Sequence, residues 1–265
     1  LAPLWTALRT RPDRLRPRLD TISSIEGLRF LRASYGKAFR AWRAHGPRRG
    51  RPKIVKFIRG NLLADWLVAE FDVRGAVIVR HPCAVLSSVL HRKGNEWEQQ
   101  AIARLLARYL DQRDLVEDRL RERLPELRGM QGFAEQHTAV WCIENADFLR
   151  RDESRLAVVH YERLVADPDA EWLRLTRALG LAAVPDRGVR DRPSQQASYK
   201  ALREASSEGY LAGWQTSLEA TQLREVERVL RLFEVTAYNL ENAMPVETRG
   251  AHQARQQSLT ADEGR

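Results

Sequence analysis

Arg80, Ser88 and Arg92 lie within the run Val77-Ile78-Val79-Arg80-His81-Pro82-Cys83-Ala84-Val85-Leu86-Ser87-Ser88-Val89-Leu90-His91-Arg92, and their types are those that hold an anion. Guanidinium forks take the oxygens of a phosphate monoester in pairs, and a serine hydroxyl adds a neutral donor. The β-branched stretch ending at Val79 predicts a strand that delivers Arg80 to the carboxyl edge of a parallel sheet, where open α/β folds place their ligands. Pro82 suits a first helical turn, so a helix from Cys83 to Leu90 aims its amino end at the same spot. Ala84, Ser88 and Arg92 are spaced by four and share one face of that helix. Arg80, Ser88 and Arg92 can therefore converge on one doubly charged oxyanion. An ordinary strand-to-helix turn with a surface arginine has the same spacing, and spacing alone does not separate the two.

Two further stretches carry candidate chemistry. In Val158-Val159-His160-Tyr161-Glu162-Arg163-Leu164-Val165 a third apolar strand, Arg155 to His160, delivers Tyr161 to its end. An aromatic there offers a nucleobase a flat apolar contact with a polar hydroxyl, although a core tyrosine satisfies the same pattern. Lys53-Ile54-Val55-Lys56-Phe57-Ile58-Arg59 predicts a short strand over Lys53 to Ile58, with Lys56 standing 24 residues before Arg80. A fixed cation stabilises charge that develops on a leaving phosphate. A solvated strand-end lysine is the alternative.

In this order the segments resemble the PAPS-dependent sulfotransferases, enzymes that use 3′-phosphoadenosine 5′-phosphosulfate. The tyrosylprotein sulfotransferases show the same three-point spacing of arginine, serine and arginine. The resemblance covers roughly residues 52 to 240. It implies that Arg80, Ser88 and Arg92 hold the 3′-phosphate, that Tyr161 lies beside the adenine, and that Lys56 neutralises the oxygen bridging phosphate and sulfate. Arg192-Pro193-Ser194, Ser198 and Gly209-Tyr210 ahead of Trp214 resemble the loop that folds over the nucleotide, which makes Ser194 and Ser198 candidate contacts. It further implies an α/β fold of the P-loop-containing nucleotide-binding kind, with a central parallel sheet flanked by helices. PAPS would be the co-substrate and 3′,5′-ADP the product, with no metal. The acceptor would be a hydroxyl or amine of a small molecule, carbohydrate or peptide.

The sequence departs from that pattern in three places. His81 stands where family members usually have an acidic residue, and Gly213 stands where tyrosylprotein sulfotransferases carry a lysine before the tryptophan. No strand and Pro-Arg-Ser-Gly-Thr-Thr type loop precedes Lys53, so the grip on the 5′-phosphosulfate is missing and the domain reads as N-terminally incomplete. Gly46-Pro47-Arg48-Arg49-Gly50 is no substitute, because no strand feeds it. The general base usually falls in the interval before the lysine strand, where Glu26 and His45 are the candidates. An inactive sulfotransferase-like remnant is the alternative that follows from the missing loop.

The elements expected around these residues alternate. Thr21 to Ala44 has helical spacing, His45 to Pro52 is a basic glycine- and proline-rich loop, and Asn61 to Phe71 is helical. Val73 to Val79 predicts a strand buried on both faces. Glu96 to Leu124 reads as one long polar helix stopped by Pro125, and Phe133 to Leu149 as another. A helix from Asp169 to Leu179 is closed by Gly180. Beyond Val184 the chain reads as loop until Ser217, and Leu218 to Tyr238 as helix. This alternation of strand and helix supports an α/β sheet with crossover helices. We expect one domain over residues 1–244 and a disordered tail over 245–265.

Composition bounds the rest. The chain has 265 residues, 43% of them hydrophobic, enough for one large core. Cys83 and Cys142 stand far apart without metal or disulfide spacing, which fits a reducing compartment. No run of about 18 apolar residues can span a bilayer. A soluble, cytoplasmic protein without membrane partners is expected. The net charge is +9, and residues 1–60 hold 16 Lys and Arg against 3 Asp and Glu. That basic front suggests a nucleic-acid-binding protein as a rival class. Aromatic residues at the intervals of a stacking platform are lacking, however, and no helix-turn-helix is evident, so nucleic acid is not the expected partner. No histidine pair has metal spacing, and no nucleophile elbow or dinucleotide fingerprint occurs.

Overall fold

A computed structural model of the chain describes residues 55–57, 60–91, 96–151, 155–181 and 207–246. The chain divides into two units, Leu1–Phe71 and Asp72–Arg265. In the first, a 3₁₀ turn at Asn61–Leu63 leads into helix α1, Ala64–Phe71, where the sequence predicted one helix. Trp66 meets Phe71 edge-on, with ring centres 5.7 Å apart, and Val68 is buried. Residues 55–57 are irregular and exposed. The strand predicted over Lys53–Ile58 is therefore not formed at these three positions. Apolar alternation gives strand propensity, but a strand needs a ladder partner and a covered face, and here Val55 and Phe57 face solvent.

The second unit is built on strands β1, Gly75–Val79, and β2, Leu156–His160, which pair in parallel from Gly75 opposite Leu156 to Val79 opposite His160. Among the described residues the sheet has these two strands and the rest is mostly helical, a small α/β arrangement. Ala157 and Val159 pack against Leu175, Trp172 and Leu164. These side chains come from helices α6, Tyr161–Ala166, and α7, Pro168–Leu179. Register partners in a parallel pair point to the same face, so Ile78 shares a face with Val159. Ile78 is nonetheless 61% exposed. The reading of this strand as buried on both faces is thereby corrected: the cover reaches β2 and stops short of the middle of β1. Val77 and Val79, on the other face, are buried.

Helix α2, Pro82–Leu90, follows β1 at once and starts one residue earlier than predicted. The long helix expected from Glu96 to Leu124 is broken. Helix α3, Glu96–Leu110, ends there, a π turn spans Val116–Leu120, and α4, Leu124–Gly129, carries Pro125 in its first turn. Proline opens that helix instead of ending the previous one, because the first-turn N–H it lacks has no intrahelical acceptor in any case. Helix α5, Phe133–Asn145, is the core helix, buried at Ala139, Val140, Trp141, Cys142 and Ile143. It packs against α3 and against α10, Ala220–Leu232, whose Val226 and Val229 are fully buried. Asp167 caps α7 by accepting the Ala170 N–H at 3.1 Å, and Gly180 ends it at φ 65°, as its position predicted.

Residues 207–217 are not the predicted loop. They form two short helices, α8, Ser207–Ala212, and α9, Trp214–Ser217, because Leu211 and Trp214 find buried places. The predicted helix over Leu218–Tyr238 is shorter at both ends: Leu218 is extended, Glu219 caps α10, and Glu234 takes φ 55° beyond its end. The helix predicted over Thr21–Ala44 and most of the predicted tail lie outside the described residues. Among the described residues no helix is long and apolar enough to cross a membrane.

Candidate functional site

The carboxyl ends of β1 and β2 bring Arg80 and Tyr161 together. Each is the first residue past its strand, and the parallel register sets the two strand ends side by side. The Arg80 guanidinium carbon stands 4.9 Å from the centre of the Tyr161 ring, within cation–π range. A planar cation and a phenol thus form one surface at the sheet edge where α2 begins.

The turn between β1 and α2 is held on every side. The Arg80 carbonyl accepts the Trp141 Nε1–H at 3.1 Å, and the next N–H, of His81, donates to Glu162 Oε1 at 2.7 Å. Both polar atoms of the Arg80–His81 peptide are therefore engaged by side chains of other elements. His81 caps α2: its Nδ1 accepts the Cys83 N–H at 3.2 Å. Its Nε2–H then donates to the Asn239 carbonyl at 2.9 Å, which fixes a neutral imidazole in one tautomer. Burial lowers the His81 pKa to about 4, with the Arg80 charge acting in the same direction. The acceptor that this helix start needs is thus supplied by an imidazole.

Glu162 also receives the Tyr238 hydroxyl at Oε2, 3.1 Å away, and that hydroxyl lies 2.8 Å from His160 Nδ1. A phenol has one proton, so with Tyr238 donating to Glu162, His160 donates its Nδ1–H to Tyr238. Burial raises the Glu162 carboxyl above its ordinary range, and burial together with the adjacent Glu162 raises the Tyr238 phenol. Burial, then Arg163 and Arg174, lowers His160 to about 4. In the sequence Glu162 stands out only as the residue after Tyr161, and neither Tyr238 nor Trp141 is singled out. A lone tyrosine beyond a helix and a tryptophan on an apolar face carry no spacing signal.

Of the other expected residues, Ser88 is the one described in this unit, and no hydrogen bond ties it to this edge. Ser88 is exposed near the end of α2, while its neighbour Ser87 bonds Ser217, Oγ to Oγ at 2.7 Å. Lys56 belongs to the first unit and is exposed on irregular backbone. Arg92, Ser194 and Ser198, and the base candidates Glu26 and His45, lie outside the described residues. Comparison with family models, with curated proteins and with solved structures finds no match to this chain. The site must therefore be read from its own geometry.

A surface depression of about 490 Å³ lies elsewhere, lined by Asp72, Val73, Arg74, Arg155 and Ala178 at the amino edge of the sheet. Its cations have structural work, since Arg74 donates to the Ala178 carbonyl at 3.1 Å and Arg155 pairs with Asp72. Cys83 and Cys142 are buried, and burial pushes the Cys83 thiol up to about 12 and the Cys142 thiol further, so neither is a nucleophile as placed. Among the described residues no group of three or more His, Cys, Asp or Glu side chains is arranged to hold a metal ion.

Proposed function

We propose that the chain binds a 3′-phosphorylated adenine nucleotide at the carboxyl edge of β1 and β2, and that it is a PAPS-dependent sulfotransferase of P-loop-like fold. The observation that carries this reading is the Arg80–Tyr161 pair, 4.9 Å apart where two parallel strands end and a helix begins. A guanidinium offers a phosphate two parallel N–H groups, and the phenol beside it offers a nucleobase an aromatic edge and a hydroxyl. Ser88 and Arg92 complete the phosphate site in this reading, and Ser194 and Ser198 belong to the loop over the nucleotide.

The reaction is a displacement at sulfur. The bond from sulfur to the phosphate oxygen breaks and a bond from sulfur to the acceptor oxygen or nitrogen forms. The acceptor proton leaves to a base, and 3′,5′-ADP departs. Lys56 assists that departure by compensating charge on the phosphate. Calorimetry with 3′,5′-ADP and 5′-AMP tests the reading. We expect the former to bind at least tenfold more tightly, the usual order for a charge-assisted pair of hydrogen bonds. Equal affinities remove the 3′-phosphate site and the function with it.

A further inference from the structure

The Arg80–His81 peptide is gripped at its carbonyl by Trp141 and at its N–H by Glu162. This is the peptide that sets the direction in which the Arg80 side chain leaves the backbone. We infer that Glu162 is a positioning residue for the phosphate site: by holding the His81 N–H it aims Arg80, and so sets the preference for a 3′-phosphorylated nucleotide without touching it. The inference rests on the nucleotide reading above.

Three observations favour this over a carboxylate that only stabilises the fold. Glu162 is buried to 1% exposure and directs one oxygen at each of two places, the His81 N–H and the Tyr238 hydroxyl. Those contacts join the end of β1, the end of β2 and the segment after α10 at one carboxylate. In addition, the residue before Glu162 is Tyr161, whose ring carries the Arg80 guanidinium. Glu162 thus fixes the backbone of Arg80, while the side chain beside it supports the head group. Released from Glu162, the peptide keeps one anchor, can rotate, and swings the guanidinium off the ring. A bidentate contact tolerates little such error.

Glu162→Leu and Glu162→Gln separate shape from bonding. The glutamine carbonyl can still accept the His81 N–H while its NH₂ donates to Tyr238, whereas leucine does neither. In the protein without nucleotide, exchange of the His81 amide should be at least tenfold faster in Glu162→Leu than in the wild type, and near wild type in Glu162→Gln. Calorimetry should show the preference for 3′,5′-ADP over 5′-AMP lowered about tenfold in Glu162→Leu, 5′-AMP affinity within about twofold, and the preference largely restored in Glu162→Gln. Trp141→Phe, which removes the other anchor, should lower the preference in the same direction and replaces Glu162→Leu if that variant does not fold. A wild type that binds both nucleotides alike overturns the nucleotide reading and this inference with it. A wild type that discriminates, with anchor variants that discriminate equally or with both Glu162 variants equally impaired, overturns the inference alone.

Discussion

The His81 imidazole lies flat against the Trp214 indole, with ring centres 4.5 Å apart and planes 19° from parallel. Tyr238 closes the same imidazole edge-on at 5.1 Å. The start of α2, the start of α9 and the segment after α10 therefore meet on one ring. Trp214→Ala should cost about 3–5 kcal/mol of stability, the usual loss for a buried large aromatic, and Trp214→Phe clearly less. Urea denaturation of the two variants measures the difference. Equal losses would show that stacking area on His81 contributes little.

Stability should fall in mild acid. His81 and His160 titrate at about 4 in the folded protein, lowered from 6.5 chiefly by burial. Folding keeps protons off both rings, so the unfolded chain binds more protons once the pH drops below about 6.5. The histidine contribution is complete above that pH and is lost as the pH falls toward 4. For the fully buried His81 the loss is on the order of 3 kcal/mol by pH 4. Glu162 acts in the opposite sense, because its raised carboxyl takes a proton more readily folded than unfolded. Urea midpoints from pH 7 to pH 4 should show net destabilisation, with a shallower slope for His81→Asn, which keeps a capping oxygen and does not titrate. An unchanged slope in that variant would assign the acid sensitivity elsewhere.

Arg80→Lys keeps the charge and removes both the fork and the plane that rests on Tyr161. We expect about tenfold weaker binding of 3′,5′-ADP with 5′-AMP little affected. Calorimetry on the purified variant reads both. Undiminished 3′,5′-ADP affinity would mean that the site needs only a point charge.

Lys56→Ala should lower turnover at least tenfold while leaving nucleotide affinity within about twofold, as expected for a cation whose contact strengthens in the transition state. Single-turnover measurement with the sulfate donor and an accepted hydroxyl or amine checks this. A variant of unchanged turnover would return Lys56 to an ordinary surface role.

The parts legible in the sequence were those governed by local rules. The β1-to-α2 turn followed from β-branched residues, Pro82 and helical spacing, and the end of α7 from Gly180 at φ 65°. The break after Leu110 was not legible, because Asp111 to Arg123 continues the polar composition of the helix and has no glycine or proline to mark an end. The exposure of Ile78 was hidden for a related reason: a β-branched run states that a strand can be covered, not what covers it. At the sheet edge, the strands read from the sequence placed Arg80 and Tyr161 just past their ends, and the parallel register sets the guanidinium 4.9 Å from the ring centre. Trp141 and Tyr238 were missed, since their work is done through hydrogen bonds to groups 61 and 76 residues distant in sequence.

The doubly anchored peptide after Arg80 bears on how fast a ligand is captured. The conformational entropy of this turn is given up when the chain folds, before any encounter in solution. Nucleotide association should accordingly run as one kinetic phase whose observed rate climbs linearly with concentration, with no plateau from a slow rearrangement.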